Sequence, residues 1–172
     1  MKMKNGIMMI CLVLGSWTAM AQHDHTTPSM PDKTTQATAA FKDAALGATF
    51  EAYDQLKNAL VASNEEDAKK AADNLVVAAQ SVKGATALKE ASAKLAASSD
   101  LREQRTLFSG VSNEMAPLVR DGKLAGGMLY IDYCPMANGN KGGYWLSTKE
   151  EIRNPYFGDR MLKCGSVKEV IQ

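Results

Sequence analysis

The sequence of 172 residues contains few of the side chains that carry most enzyme chemistry. It has two histidines, His23 and His25, and three cysteines. Beyond residue 37 there is no histidine, so serine or cysteine catalysis with an imidazole base has no base in that part of the chain. No glycine-rich phosphate loop follows a strand-like segment. We therefore predict that the protein is not an enzyme.

Long hydrophobic runs are also missing. None reaches the ~20 residues that a membrane-spanning helix needs. The apolar run 7–14 follows Lys2 and Lys4, and the small-residue pattern Ala19-Met20-Ala21 comes after it. These are the three regions of a secretory signal peptide. They predict a cleaved signal peptide at residues 1–21 and a periplasmic or secreted mature protein that does not insert into a membrane.

The chain lacks a charge excess of either sign. The formal net charge is +1. Loss of Lys2 and Lys4 with the signal peptide leaves the positive and negative charges nearly balanced. Neither nucleic acid nor an anionic membrane is therefore predicted as a partner. The mature chain has the length of one domain with a single core.

The mature chain divides into a polar leader and a folded part. Residues 22–37 contain Pro28, Pro31 and many threonines, which predicts a disordered leader. Residues 38–172 are predicted to form a single helical domain, of which 123–172 is the motif-bearing C-terminal part. Apolar residues recur at steps of three and four in four segments, the spacing of one helix face. These segments run from Leu46 to Leu60, Ala68 to Val82, Leu88 to Leu95, and Leu101 to Leu118.

The character of the sequence changes after Gly122, where glycine, proline and aromatic residues become frequent. Met128–Tyr133 and Tyr144–Leu146 are predicted strands on either side of a glycine-rich turn. Ser147–Glu150 is predicted to cap one helical turn. Short connections between the helices imply antiparallel neighbours. The predicted fold class is mainly α: an up-down helical bundle of about four helices with a small C-terminal β-hairpin and irregular appendage.

Four sulfur-containing side chains lie in this C-terminal part, in two mirrored pairs. Cys134-Pro135-Met136 supplies one pair, and Met161-Leu162-Lys163-Cys164 supplies the other. Thiolate and thioether sulfurs are soft donors that favour Cu(I) or Ag(I), whereas Zn(II) normally has histidine or more cysteine. The sequence thus predicts a soft-metal site at Cys134, Met136, Met161 and Cys164.

Two other interpretations of these residues stay open. In an oxidising compartment, Cys134 and Cys164 are expected to pair, and their disulfide would stabilise the appendage. Met136 and Met161 could instead pack in the core against Trp145 or Tyr156. A disulfide-stapled structural or protein-interaction module is therefore the alternative to metal binding.

The C-terminal motifs resemble a known but uncharacterised domain. They are Tyr133-Cys134-Pro135-Met136-Ala137, Tyr144-Trp145-Leu146-Ser147, the run from Ile152 to Gly158, and Met161-Leu162-Lys163-Cys164-Gly165. Together with most of residues 40–170, they resemble a bacterial domain of unknown function. That domain occurs alone in secreted proteins and also fused to periplasmic adaptors of copper and silver efflux pumps. The resemblance implies a helical domain with a heavy-metal site at Cys134, Met136, Met161 and Cys164.

The predicted disordered leader at residues 22–37 contains a second, weaker candidate site. His23 and His25 form a His-Asp-His motif close to the predicted new amino terminus, and imidazoles beside a free amine can chelate Cu(II). The sequence as a whole predicts a periplasmic protein that binds Cu(I) or Ag(I) and sequesters it or passes it to an efflux adaptor. It does not fix the metal, the redox state of the cysteines, the delivery partner or the oligomeric state.

Overall fold

We analysed a computed structural model, which describes residues 39–120 and 123–172. The predicted signal peptide at 1–21 and the polar leader at 22–37, with His23 and His25, lie outside the described residues. Within the described part, no helix combines the length and the apolar character needed to cross a bilayer.

Four long helices make up most of the described chain. Their bounds are α1 at Ala44–Val61, α2 at Glu65–Ala78, α3 at Thr86–Ala96 and α4 at Leu101–Val119. Asp43, Asn64 and Asp100 precede α1, α2 and α4, and each side chain accepts a backbone N–H from the first turn. Such caps satisfy donors that have no partner inside the helix. Asn64 thus caps α2, four residues before the predicted helical segment that begins at Ala68.

Each helix packs on the next one along the chain. Ala68 and Ala72 of α2 are completely buried, and their small side chains permit a close approach of the neighbouring helices. Larger residues such as Leu56, Leu60 and Phe108 fill the interior. Pro117 lies inside α4, which continues only to Val119. The helix therefore ends one residue after the predicted segment from Leu101 to Leu118.

The C-terminal part forms small antiparallel sheets. β3 (Leu129–Cys134) lies between β4 (Gly143–Ser147) and β5 (Ser166–Ile171). A second sheet pairs β1 (Ala40–Phe41) with β2 (Leu124–Gly126). The β3 and β4 pairing confirms the predicted hairpin, with Asp132 opposite Trp145 and Cys134 opposite Gly143. The strands β1, β2 and β5 were not predicted.

The predicted helical turn at Ser147–Glu150 is wrong. Ser147 ends β4, and its hydroxyl bonds the backbone of Lys149 within a bend. A serine side chain that bonds the backbone two residues later stabilises a turn in place of a helix. This segment therefore carries the chain out of the sheet without a fifth helix.

The sheet and the helices share one hydrophobic core, which includes Cys134, Trp145, Leu146 and Tyr156 together with the helical leucines. Tyr53 of α1 links the two layers: its hydroxyl contacts Ser112 of α4 at 2.8 Å and accepts the Leu146 N–H at 3.0 Å. The C-terminal part is therefore held by the helices, as expected for a segment with little core of its own.

Gly158 anchors the segment after Pro155 to the helices. Its φ is +57°, and a Cβ there would lie 2.6 Å from an Arg105 guanidinium nitrogen and 2.9 Å from the Val61 carbonyl oxygen. We expect Gly158→Ala to lower the free energy of unfolding by about 2 kcal/mol, because a left-handed conformation and a backbone clash act together.

Urea denaturation of the variant would measure this loss. Gly110→Ala is the matched control, because Gly110 lies within α4 with open space around its Cβ position. Its stability is expected to rise by up to about 1 kcal/mol through helix propensity. A Gly158→Ala variant as stable as the parent protein would show that the helices do not constrain this turn.

Candidate functional site: the sulfur pair

Cys134 and Cys164 meet at one end of the three-stranded sheet, where the central strand β3 ends. Cys134 is the last residue of β3 and is completely buried, whereas Cys164 precedes β5 and is half-buried. The two Sγ atoms lie 3.0 Å apart, across a sequence separation of 30 residues. The structure therefore brings together the two cysteines that the sequence predicted to act as a pair.

Local hydrogen bonds hold the Cys164 arm in place. The Cys164 N–H donates to the Met161 carbonyl at 3.0 Å, which closes the turn between them. The Asn154 side chain donates to the Cys164 carbonyl at 2.7 Å, while its oxygen accepts the Tyr156 N–H. Asn154 is itself completely buried. The backbone of Cys164 is thus fixed by a polar residue that the core surrounds.

The distance between the sulfur atoms suits two kinds of chemistry. A disulfide needs about 2.05 Å between them. Two thiolates on one metal ion, with metal–sulfur bonds of about 2.3 Å, lie roughly 4 Å apart. Either outcome requires a shift of about 1 Å from the observed 3.0 Å. Such a shift is small for a pair of which one member lies in a turn.

Two aromatic side chains, Trp145 and Tyr156, share the hydrophobic core with Cys134. Trp145 is completely buried and lies edge-on to Tyr156, with ring centroids 6.1 Å apart. At Gly165, which follows Cys164, a Cβ would approach the Trp145 ring to 2.7 Å, and its φ is +147°. Only glycine fits this position without displacing the indole. Cys134 therefore lies within the hydrophobic core, and Cys164 packs against that core.

This environment affects the protonation of the pair. Contact with the Cys134 thiol, then burial and then the Cys134 charge raise the pKa of Cys164 above its usual value. The Cys164 thiol therefore favours its neutral form at neutral pH, and a free Cys164 thiolate nucleophile is disfavoured. A bound metal ion would favour deprotonation, because it stabilises the thiolate directly.

The two predicted methionines lie in different surroundings. Met161 is half-buried at the end of a 3₁₀ turn spanning Gly158–Met161, close along the chain to Cys164. Met136 has 46% of its surface exposed and lines a cavity that neither cysteine lines. Among the described residues, no group of three or more histidine, cysteine, aspartate or glutamate side chains is placed to hold a metal.

A buried carboxylate two residues before Cys134 was missed by sequence reasoning. Asp132 is completely buried, and neither of its carboxylate oxygens accepts a hydrogen bond of ordinary geometry. The indole N–H of Trp145, its cross-strand neighbour, likewise forms no hydrogen bond of ordinary geometry, although it lies close enough to Asp132 to affect its pKa. Burial raises the pKa of Asp132 to about 7, against smaller lowering effects of Lys57 and Trp145. An acidic residue in the apolar strand 129–133 was the available signal.

Comparison with known proteins supports part of the predicted resemblance. Residues 49–126 match a family described as "Protein of unknown function (DUF3347)". No match to the chain was found among curated proteins or among solved structures. The matched segment contains most of α1, all of α2 to α4, and β2, but it ends before β3. The chain is therefore similar to an uncharacterised domain over its helical part, and the sulfur pair lies outside the matched segment.

Proposed function

We propose that the protein binds Cu(I) or Ag(I) in the periplasm or outside the cell, with Cys134 and Cys164 as the ligands. The observation that carries this proposal is the convergence of the two thiols to 3.0 Å across 30 residues of sequence. Their soft sulfur atoms suit a soft ion. Sequestration of the ion, or its delivery to a periplasmic efflux adaptor, is the expected role.

The number of ligands argues for a low-coordinate ion. A structural zinc site takes four ligands. Within the described residues, no histidine, further cysteine or acidic side chain joins the two cysteines as a third ligand. Cu(I) and Ag(I) accept two thiolates, with a thioether as an optional third donor. Met161 is the stronger thioether candidate because it lies in the same turn as Cys164, whose N–H donates to its carbonyl. Met136, on the cavity wall, is the weaker one.

The surroundings of the pair support a site that loads and unloads. Cys134 is shielded from water, whereas Cys164 is half-buried, so an ion can approach from one side. The mainly apolar walls protect a bound Cu(I) from oxidation by water-borne reagents.

An up-down arrangement of the four helices is also part of the proposal. Short connections and packing between consecutive helices support it.

An anaerobic competition between the reduced protein and a colorimetric Cu(I) chelator tests the metal proposal. We expect one Cu(I) per chain for the parent protein and none for the Cys134→Ser, Cys164→Ser double variant, because serine hydroxyls are poor ligands for Cu(I). Affinity should increase with pH, since binding releases the thiol protons.

Two methionine variants refine this test. Met161→Leu should weaken Cu(I) binding if its thioether completes the site, and Met136→Leu is the matched control of the same size. Retention of one tightly bound Cu(I) by the double serine variant would overturn the proposal. Equal, undiminished binding by both leucine variants would limit the site to the two thiolates.

A disulfide-stapled module is the second candidate, because the same short distance between sulfur atoms favours a bond in an oxidising compartment. In that case the cysteines stabilise the C-terminal part, and its surface contacts a partner protein. The intact mass of protein taken from the periplasm, alkylated before and after reduction, distinguishes the two. Alkylation only after reduction supports the module, and alkylation without reduction supports a metal-binding dithiol.

A further inference from the structure

A cavity of about 1040 Å³ lies between α4 and the C-terminal part. One wall is the beginning of α4, another is the turn that follows Cys134, and the third is the segment around Phe157. Neither cysteine lines the cavity, and of the candidate metal ligands only Met136 does, so the thiol pair is separate from it. Its walls differ from the rest of the molecule in charge.

Four of the lining side chains are basic and one is acidic. The basic ones are Arg102, Arg105, Lys141 and Arg160, and the acidic one is Asp100. The Asp100 carboxylate accepts the Glu103 N–H at 2.8 Å and so serves as the cap of α4. In the part of the chain that the structure describes, none of the four basic side chains forms an ion pair with a carboxylate. The cavity therefore has an excess of positive charge.

Arg105 is fixed at the base of this cluster. Its guanidinium donates to the carbonyls of Pro155 and Leu60 at 3.0 and 2.9 Å, and to the Ser63 hydroxyl at 2.9 Å. Burial first, and then the positive charge of Arg160, lower the pKa of Arg105, against a smaller opposite effect of Asp159. Two guanidinium groups thus repel each other here, and a bound anion would relieve that repulsion.

The same cavity has an apolar side. The Arg160 guanidinium lies 5.9 Å from the centroid of the Phe157 ring, in a cation–π arrangement. Tyr156 and the exposed thioether of Met136 line the cavity as well. Small-molecule sites typically combine such apolar walls with a few polar groups that fix orientation. An inorganic anion alone would leave this apolar surface in contact with water.

From these contacts the geometry points to a binding site for a small organic dianion, a dicarboxylate or a phosphate ester with a planar or apolar group. Arg102, Lys141 and Arg160 face the charged groups, and Phe157 with Met136 contacts the apolar part. Arg105 holds the wall in place through its three hydrogen bonds. This site is independent of metal binding by Cys134 and Cys164.

Isothermal titration at low ionic strength tests the inference with three probes: phthalate, phenyl phosphate and the neutral phthalamide. We expect saturable binding of at least one anionic probe and none of phthalamide. Preference between phthalate and phenyl phosphate identifies the charged group as carboxylate or phosphate. Each of Arg102→Gln and Arg160→Gln should weaken binding about tenfold, the effect of one charge-assisted hydrogen bond.

Arg153→Gln is the matched control, because Arg153 is exposed and does not line the cavity. It should leave the affinity unchanged, as should the Cys134→Ser, Cys164→Ser double variant. The inference is overturned if neither anionic probe binds, if phthalamide binds as tightly, or if Arg153→Gln weakens binding as much as the cavity variants. Because Arg102 and Arg160 are also exposed, far-UV circular dichroism should show all variants folded.

Discussion

Asp132→Asn is expected to remove most of the pH dependence of stability between pH 4 and pH 8, and to make the protein more stable than the parent at pH 8. The parent should lose about 4 kcal/mol of unfolding free energy over the same range, to judge from about 1.4 kcal/mol for each unit of pKa difference. Asp132 is completely buried without an ordinary hydrogen-bond partner, so its charged form is poorly accommodated.

The direction of this pH dependence of stability follows from the raised pKa of Asp132. In the unfolded chain Asp132 ionises near 3.8, whereas in the folded protein it ionises near 7. Between these values the folded protein keeps the proton and the unfolded chain releases it, so unfolding is favoured increasingly as the pH rises. The loss begins above pH 3.8 and is complete above pH 7. At pH 4 the carboxyl is neutral in the folded protein and carries little of this cost.

Urea denaturation of the reduced, metal-free protein at a series of pH values would measure the effect. Asp73→Asn on α2 is the control, since Asp73 is exposed, and its pH profile should follow the parent. A parent and an Asp132→Asn variant with parallel profiles would show that the Asp132 carboxyl does not keep its proton on folding. Lys57, which is also buried and is held by Asp54 at 2.5 Å, would then be the compensating charge.

The helical part was the easier part to predict because its pattern is local. Residues Leu46, Phe50 and Leu60 lie on one face at helical spacing, and all three are buried in α1. Capping residues such as Asp100 mark a helix start within a few positions. The family match at residues 49–126 falls on this same part. Local periodicity and caps therefore identified the four long helices without any knowledge of tertiary contacts.

The C-terminal part depended on contacts between distant residues. β5 was missed because its apolar residues Val167, Val170 and Ile171 do not alternate with polar ones, and because five of its six positions are not buried. The turn at Ser147 was assigned to a helix because serine can cap either structure. The charged cavity was invisible in the sequence, since Arg102, Lys141 and Arg160 are far apart along the chain. Only the fold places them around one space.

The candidate metal ligands were only partly predictable from the sequence. Composition alone predicted that Cys134 and Cys164 act together, and the structure places their sulfur atoms in contact. The spacing of Met136 from Cys134 suggested a shared site, but the chain turns after Cys134 and exposes Met136 at the cavity. Cys134 ends a strand and Met136 lies in the turn that follows, so their side chains need not share a face although they are two residues apart. Sequence proximity was therefore a weaker guide than cysteine chemistry.

Oxidation of the reduced protein is expected to raise its free energy of unfolding by about 3–4 kcal/mol, because a bond between Cys134 and Cys164 closes a loop of 30 residues in the unfolded chain. The folded protein needs only a small adjustment, since the sulfur atoms are already in contact. Urea denaturation with and without reductant measures the difference, with free thiols counted in each sample.

The Cys134→Ser, Cys164→Ser double variant is the control and should unfold at the same urea concentration in both conditions. Cu(I) added to the reduced parent should stabilise it as well, because an ion bound to both thiolates closes the same loop and binds only the folded chain tightly. Stabilisation by oxidation without stabilisation by Cu(I) would assign the pair to a structural disulfide. Stabilisation by neither would mean that the two sulfur atoms form no link in the folded protein, and the metal proposal would fail with the disulfide.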